Sequence, residues 1–143
     1  MPWKYHDQTY IPKSPAELWP LISTLEGLKK WSIRDGKLDP VSGGEFHAEW
    51  NAQAHATCQV VELIPNERFA FNWNWSIETR VDFWLEPAED GIGTYFHIEQ
   101  GDFPEEKDFE GVFFAYMMGW TKYIMCLKGY AMAGIDMRDT WVW

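Results

Sequence analysis

The sequence has few basic residues, few cysteines and no long apolar run. Lys and Arg together number 12 against 22 Asp and Glu, which gives a net charge of −10. A surface that binds nucleic acid or an anionic membrane needs clustered basic residues, so we expect neither partner. No stretch reaches the length of a membrane span, and the N-terminal MPWKYHDQTY does not begin as a secretion signal does. We therefore expect a cytoplasmic protein.

The two cysteines, Cys58 and Cys126, are far apart in the chain and form no C-x-x-C pair. This usage indicates two buried thiols in a reducing compartment rather than a disulfide or a metal site. Both stand among apolar residues, where the thiolate is disfavoured, so we expect neither to act as a nucleophile. The sequence also contains no motif of a serine hydrolase, a zinc metalloprotease or a phosphate-binding loop. We predict no cofactor and no metal.

Aromatic residues are abundant instead. They make up 17% of the 143 residues, and ten of them are Trp. The length is typical of one domain, so we expect residues 1–143 to form a single domain. Each large ring buries a wide apolar area, so a few elements suffice to enclose a core or a lined pocket.

The first third of the chain predicts a strand and two short helices. KYHDQTYIP has the composition of a strand that ends at Pro12. Ser14 then suits a helix N-cap, Pro15 suits the first helical position, and Glu17 completes a capping box. This helix is expected to run to about Ile22. A second one over LEGLKKW is expected to be broken by Gly27.

The middle of the chain alternates apolar and polar residues with a period of two, which predicts strands. The segments are joined by short turns, which indicates an antiparallel meander. The predicted strands are VSGGEFHAEW, ATCQVVELIP, RFAFNWNWSI, RVDFWLEP and TYFHIEQG.

The period then changes, and residues from about Asp108 to Gly134 predict one long amphipathic helix. Its apolar positions recur at helical spacing and include Phe109, Val112, Phe113, Tyr116, Met117, Trp120, Tyr123, Ile124, Leu127 and Tyr130. Gly111, Gly119 and Gly129 predict either a close approach of this helix to the sheet or a kink. The final DTWVW is expected to form a last strand or to contact a partner.

This order predicts an α+β helix-grip fold. A curved antiparallel sheet of about six to seven strands wraps around the long C-terminal helix, with two short helices after the first strand. The helix then buries its apolar stripe against the alternating faces of the strands.

Five motifs in order resemble the START-like helix-grip (SRPBCC) superfamily. Within it, the chain is similar to small proteins related to the C-terminal domain of the heat-shock-protein-90 ATPase activator. The motifs are IPKSPAELWPLIST, GGEF, VVELIPNERFAFNW, GTYFHIEQG and the pair Gly119-Trp120. The resemblance implies a cavity between sheet and helix and a co-chaperone-like role. The chain departs from the pattern at Cys58, where Gly is common, and at Asn72 and Asn74, where basic residues are common.

The aromatic residues of one strand carry the main functional hypothesis. Phe69, Phe71, Trp73 and Trp75 fall at every second position of RFAFNWNWSI and therefore on one face. They form either a plain core or the wall of a cavity for a small hydrophobic or aromatic ligand, and the sequence leaves both open. The predicted lining is Trp31, Phe46, Phe71, Trp73, Phe83, Phe113, Tyr116, Met117 and Trp120.

Three further hypotheses involve other residues. An enzyme of the cyclase or hydratase kind would need Tyr116, His97 or Glu99 as acid or base inside the cavity. The acidic run DFPEEKDFEG stabilises a helix N-terminus or binds a basic partner. Glu45, His47 and Glu49 share a strand face with metal-like spacing, but we expect a solvated face.

A homodimer is suggested by Trp residues outside the expected core. These are Trp84, Trp141 and Trp143.

Overall fold

A computed structural model describes residues 3–75, 77–104 and 110–140. Its elements in chain order are β1 (Trp3–Ile11), α1 (Pro15–Ser23), α2 (Leu25–Trp31), β2 (Asp35–Leu38), β3 (Glu45–Glu49), β4 (His55–Ile64), β5 (Arg68–Trp75), β6 (Ile77–Pro87), β7 (Thr94–Phe103), α3 (Glu110–Ala133) and a 3-10 turn (Arg138–Thr140).

The strands form one seven-stranded sheet in the order β1-β7-β6-β5-β4-β3-β2. Every pairing is antiparallel; β2 to β7 form a meander, and β1 joins its far edge by pairing with β7, where Thr9 lies opposite Phe96. The sheet is curved, and α3 packs against its inner face. The predicted α+β helix-grip fold is confirmed, including the two short helices after β1.

The predicted capping box at α1 is present. The Glu17 backbone N–H donates to Ser14 Oγ at 3.2 Å, and the Ser14 backbone N–H donates to Glu17 Oε2 at 2.8 Å. The predicted break at Gly27 is wrong, because α2 runs through it. A Cβ at this position would lie 1.8 Å from the Pro20 carbonyl oxygen, so Gly27 is the residue that lets α2 pack closely against α1.

Helix α3 is continuous from Glu110 to Ala133, and the start predicted at Asp108 lies outside the described residues. Of the two alternatives predicted for its glycines, the close approach to the sheet is wrong. A Cβ at Gly111 or Gly119 would meet no atom within 4 Å, and at Gly129 it would lie 2.5 Å from Met137 Sδ. Most of DTWVW, with Trp141 and Trp143, also lies outside the described residues.

The core lies between the inner face of the sheet and the three helices. Its largest fully buried side chains come from both layers and include Trp31, Phe69, Phe71, Phe83, Phe96, Phe103, Leu18 and Leu28. Cys58 and Cys126 are buried free thiols, as predicted. Among the described helices, none is long and apolar enough to cross a membrane.

Candidate functional site

The inner face of β5 is aromatic because its side chains alternate between the two faces of the sheet. Phe69, Phe71 and Trp73 are buried on the inner face, at most 4% exposed. Asn72 and Asn74 occupy the outer face. The side chain of Trp75 lies outside the described part of the chain.

Six of the predicted lining residues come together as one group of rings. The centroid of Phe71 lies 5.4 Å from Phe83 and 5.1 Å from Phe46. Trp120 of α3 lies 5.9 Å from both Trp73 and Phe83. The sixth ring, that of Tyr116, lies 6.2 Å from Trp73. We call these six residues, Phe46, Phe71, Trp73, Phe83, Tyr116 and Trp120, the inner ring cluster.

The polar tips of the inner ring cluster form hydrogen bonds inside the protein. Trp73 Nε1–H donates to the Tyr116 hydroxyl at 2.7 Å. Trp120 Nε1–H donates to Gln100 Oε1 at 2.6 Å, and Gln100 Nε2–H donates to Thr79 Oγ1 at 2.8 Å. Buried polar groups of this kind are nearly always paired, and here each indole N–H donates to a side chain of the other layer.

The packing of α3 on the sheet changes along the helix. Trp120, Ile124 and Leu127 are buried, whereas the core-facing Tyr116 and Met117 are only half-buried. The interior is therefore less covered at Tyr116 and Met117 than at Trp120, Ile124 and Leu127. Trp50, also half-buried, lies 5.5 Å from Trp73 at the same end.

The other predicted lining residues lie further from this group. Trp31 is fully buried at the end of α2 and donates its Nε1–H to the Leu21 carbonyl at 2.9 Å. Its ring lies 4.5 Å from that of Tyr123, which in turn lies 5.0 Å from Trp120 of the cluster. Phe113 contacts Trp3 and Phe103, at 5.3 Å and 5.2 Å. Met117 packs against the core from α3.

Sequence reasoning missed Thr79 and Gln100, although a signal was present. Gln100 follows Phe96 and Ile98 at two-residue spacing, and Thr79 precedes Val81 at the same spacing. Both therefore occupy inner-face positions, where a polar residue stands out against the apolar pattern.

The candidate acid and base residues of the enzyme hypothesis do not come together. His97 lies on the outer face, where Nε2 is 2.8 Å from Glu86 Oε2 and Nδ1 is 3.0 Å from His6 Nε2. Glu99 also lies on the outer face and pairs with Lys4 at 3.6 Å. Of the three candidate residues, Tyr116 belongs to the inner ring cluster.

The polar face of β3 is half-buried or exposed, as expected. His47 Nε2 lies 3.1 Å from Glu49 Oε1, and His47 Nδ1 lies 3.0 Å from Thr57 Oγ1. Within residues 3–75, 77–104 and 110–140, no group of three His, Cys, Asp or Glu side chains is arranged to hold a metal ion.

Two depressions of the surface lie outside the inner ring cluster. One, of about 190 Å³, lies at the start of α3 and is lined by Trp3, Lys4, Glu110, Phe113 and Phe114. The other, of about 510 Å³, lies on the outer face and is lined by Lys4, Arg68, Arg80, Asp82, Trp84, Glu99, Gly101 and Asp102. Three basic side chains in the larger depression face three acidic ones, so it carries no net charge to select an ion.

Burial also changes the chemistry of Cys58, on the inner face of β4. It raises the pKa of this thiol from 9.0 to about 11, while a hydrogen bond with the backbone of Asn74 lowers it by less. The thiol is neutral at physiological pH, which agrees with the expectation that it is no nucleophile.

Comparisons with known proteins agree with this architecture. The sequence profile of the family "Activator of Hsp90 ATPase homolog 1-like protein" matches residues 12–132. The Aha1 dimer of Colwellia psychrerythraea superposes with a TM-score of 0.79 at 23% identity, over 92% of this chain and 98% of that one. A protein of Mesorhizobium loti gives 0.78 at 21%, over 88% and 94%.

A more distant similarity is to a protein described as an HSP90 activator from Plasmodium falciparum. Its TM-score is 0.66 at 14% identity, over 83% of this chain and 88% of that one. Among curated proteins, no sequence matches the chain. The structural similarities, all below 25% identity, establish the fold.

Proposed function

The chain belongs to the activator of Hsp90 ATPase homolog 1-like family, and we propose that it binds a small, neutral, hydrophobic or aromatic molecule between the sheet and α3. The inner ring cluster forms the site. The family membership and the fold are compatible with this role, and the arrangement of polar tips within the cluster supports it.

The observation that carries the proposal is the hydrogen bond from Trp73 Nε1–H to the Tyr116 hydroxyl, 2.7 Å long. The two partners belong to different layers of the fold: Trp73 lies in strand β5 of the sheet, and Tyr116 lies in helix α3. A ligand carbonyl or hydroxyl oxygen that enters between the layers can accept the indole N–H in place of Tyr116. The exchange leaves the indole paired, so it avoids the cost of a buried unsatisfied donor.

The route of entry is the N-terminal half of α3. Tyr116 and Met117 are half-buried there, in contrast to Trp120 one turn further along. Methionine is unbranched and adapts to different neighbours, so Met117 can move aside with little strain. Helix α3 needs to shift only at this end for a flat molecule to reach Trp73.

The chemistry of the cluster selects the class of ligand. The polar atoms of the cluster and of its hydrogen-bond partners belong to neutral side chains: the indoles of Trp73 and Trp120, the Tyr116 hydroxyl, the Gln100 amide and the Thr79 hydroxyl. A charged ligand would lose hydration without gaining a counter-charge. A flat ligand ring with one or two hydrogen-bonding groups packs against the edges and faces of the surrounding aromatic side chains.

The test is binding of the neutral dye N-phenyl-1-naphthylamine, whose fluorescence rises in apolar surroundings. We expect saturable binding to the wild-type protein. Met117→Trp, which fills the route of entry, is expected to weaken binding at least about tenfold, equivalent to about 1.4 kcal/mol. The matched control Ala115→Trp, at an exposed position of the same helix, is expected to leave it unchanged. Absence of saturable binding, or equal loss in both variants, contradicts the proposal.

A second candidate role is regulation of a chaperone. It is supported by the family to which the chain belongs and by the Plasmodium falciparum relative described as an HSP90 activator. Cys58 and Cys126 are free buried thiols, which is typical of proteins in the reducing cytoplasm. A cytoplasmic chaperone would be present in the same compartment. The test is the ATPase rate of heat-shock protein 90 with and without this protein. An unchanged rate at saturating protein rejects this role and leaves ligand binding untouched.

We also propose that the protein self-associates. The support is the relative from Colwellia psychrerythraea, which is described as a dimer and matches nearly the whole chain. The ring of Trp84, one of the residues on which the sequence-based expectation of a dimer rests, contacts Arg68 and His97 of the same chain.

A further inference from the structure

Helix α3 is apolar on two sides. One side faces the sheet, and the other carries four large apolar side chains exposed to solvent. Phe114, Met118, Met125 and Met132 are 52%, 66%, 44% and 51% exposed. At about 100° per residue they fall within an arc of about 40°. We call these four residues the outer stripe.

The spacing of the outer stripe matches that of a helix–helix contact. Its members are separated by four, seven and seven residues, the heptad spacing by which one helix presents a continuous apolar seam to another. From Phe114 to Met132 the stripe runs about 27 Å along the helix axis. Scattered single exposed apolar residues are ordinary on protein surfaces, whereas a contiguous row of this length indicates a contact.

The charged residues of α3 indicate which helix covers the outer stripe. The chain carries a net charge of −10, but within Glu110–Ala133 the charged residues are one acid, Glu110, and two bases, Lys122 and Lys128. Two copies of so acidic a protein repel each other over most of their surfaces. They repel less where α3 faces α3, because this helix carries one more basic residue than acidic ones.

The positions of these charged residues also indicate whether the two helices pack parallel or antiparallel. Glu110 stands at the first turn of α3, whereas Lys122 and Lys128 stand in its second half. An antiparallel pair therefore places the two Glu110 side chains at opposite ends of the contact and also separates the two Lys128 side chains. The helix dipoles also oppose each other in this arrangement. A parallel pair would bring like charges together.

We propose that two copies of this chain associate through the outer stripes of their α3 helices, packed antiparallel. This inference rests on the self-association proposed above and assigns it a surface and an orientation. The strip is about 27 Å long and about one helix wide, or about 10 Å. That is about a third of a standard interface of about 800 Å² per partner, so the dimer is weak.

Sedimentation equilibrium over concentrations from about 1 µM to about 1 mM, the range expected of a small interface, measures the association. We expect a monomer–dimer equilibrium for the wild-type chain and at least about tenfold weaker association for Met118→Glu. The matched control is Ile92→Glu, because Ile92 is also 66% exposed but lies in the β6–β7 turn. This control is expected to associate as the wild type does.

A charge exchange tests the orientation. At an ionic strength of about 0.01 M, where exposed charges about 12 Å apart along the axis still interact, Glu110→Lys and Lys128→Glu are each expected to weaken association, and the double variant is expected to restore it. Because Lys128 Nζ also contacts Thr9 Oγ1 at 3.2 Å, thermal melting of each variant confirms that the fold is retained. Absence of restoration in the double variant overturns the antiparallel arrangement.

The other outcomes separate this inference from the proposals above. A monomer at every concentration overturns both the self-association and the surface assigned to it. A dimer that Met118→Glu leaves intact overturns only the surface. Binding of N-phenyl-1-naphthylamine by Met118→Glu is expected to equal that of the wild type, because the outer stripe faces away from the inner ring cluster.

Discussion

The two faces of the same strands bury aromatic rings in different ways. On the inner face of β6, Phe83 meets Phe71, Phe96 and Trp120 at 5.4 to 5.9 Å, in tilted or edge-to-face contacts. On the outer face of β6, Trp84 stacks parallel to His97, with centroids 4.5 Å apart and planes 5° apart. Arg68 places its guanidinium carbon 4.9 Å from the Trp84 ring.

On the outer face, the ring of Trp84 is held by neighbouring side chains that are themselves bound to other residues. Arg68 and His97 belong to β5 and β7, which flank β6, so they cover opposite faces of the Trp84 indole. Arg68 and Arg80 both bind Asp82, at 2.5 Å and 2.8 Å. Aromatic content alone therefore does not mark a binding site.

The inner rings differ because their polar tips pair with side chains of the other layer. Trp73 depends on Tyr116, and Trp120 depends on Gln100. Such pairs can be exchanged for a ligand group, whereas the outer stack has no free ring face to offer. The predictions below test this contrast, from the largest expected effect to the smallest.

Phe83→Ala is expected to lower the free energy of unfolding by about 3–5 kcal/mol, because it leaves a cavity among fully buried rings. Trp84→Ala on the outer face removes a larger ring but is expected to cost only about 1–2 kcal/mol, since the site is open to water. Urea denaturation measures both. A cost for Trp84→Ala equal to that for Phe83→Ala would remove the energetic difference between the faces.

Gln100→Leu is expected to cost about 1–3 kcal/mol, because Trp120 Nε1–H and the Thr79 hydroxyl lose their buried partner. Trp120→Phe in the Gln100→Leu background removes the indole donor that has lost its acceptor. The second change is therefore expected to cost less in this background than in the wild type, which a double-mutant cycle measures. Additive costs would show that the indole N–H and the amide do not depend on each other.

Asp82→Asn on the outer face is expected to cost about 1–2 kcal/mol, because the carboxylate is mostly buried and accepts hydrogen bonds from two arginines. The matched control is Glu62→Gln, which loses an exposed pair with Arg80 and is expected to cost less than about 0.5 kcal/mol. Equal costs in thermal or urea denaturation would argue against a specific role of the Asp82 network.

Cys58 provides a pH dependence that is absent at neutral pH. Its folded-state pKa is raised from 9.0 to about 11 by burial. The stability contributed by the neutral thiol is therefore fully present below about pH 9 and is lost as the pH rises towards 11. The difference in unfolding free energy between wild type and Cys58→Ala is expected to shrink over this window. A difference that stays constant between pH 8 and pH 11 would contradict the shift.

The periodic features of the fold were predictable from the sequence. The two-residue alternation of RFAFNWNWSI placed Phe69, Phe71 and Trp73 on one face, and the helical spacing after Glu110 placed Tyr116 and Trp120 opposite them. The capping box at Ser14 fixed the start of α1. These are local regularities, and short stretches of sequence contain them completely.

Contacts between distant residues were not predictable in the same way. Gln100 and Thr79 are 21 residues apart, and His6 and His97 are 91 apart. Their pairing depends on strand order and register, which local periodicity does not specify. Gly27 was misjudged for a related reason, since its role is set by the carbonyl of Pro20 in the preceding helix.

The most direct test follows the indole N–H signals of Trp73, Trp120 and Trp84 by ¹H–¹⁵N NMR during titration with N-phenyl-1-naphthylamine. If the ligand binds between sheet and helix, the signals of Trp73 and Trp120 shift in a saturable manner and that of Trp84 stays in place. A titration that shifts Trp84, or leaves Trp73 and Trp120 unchanged, would contradict binding within the inner ring cluster.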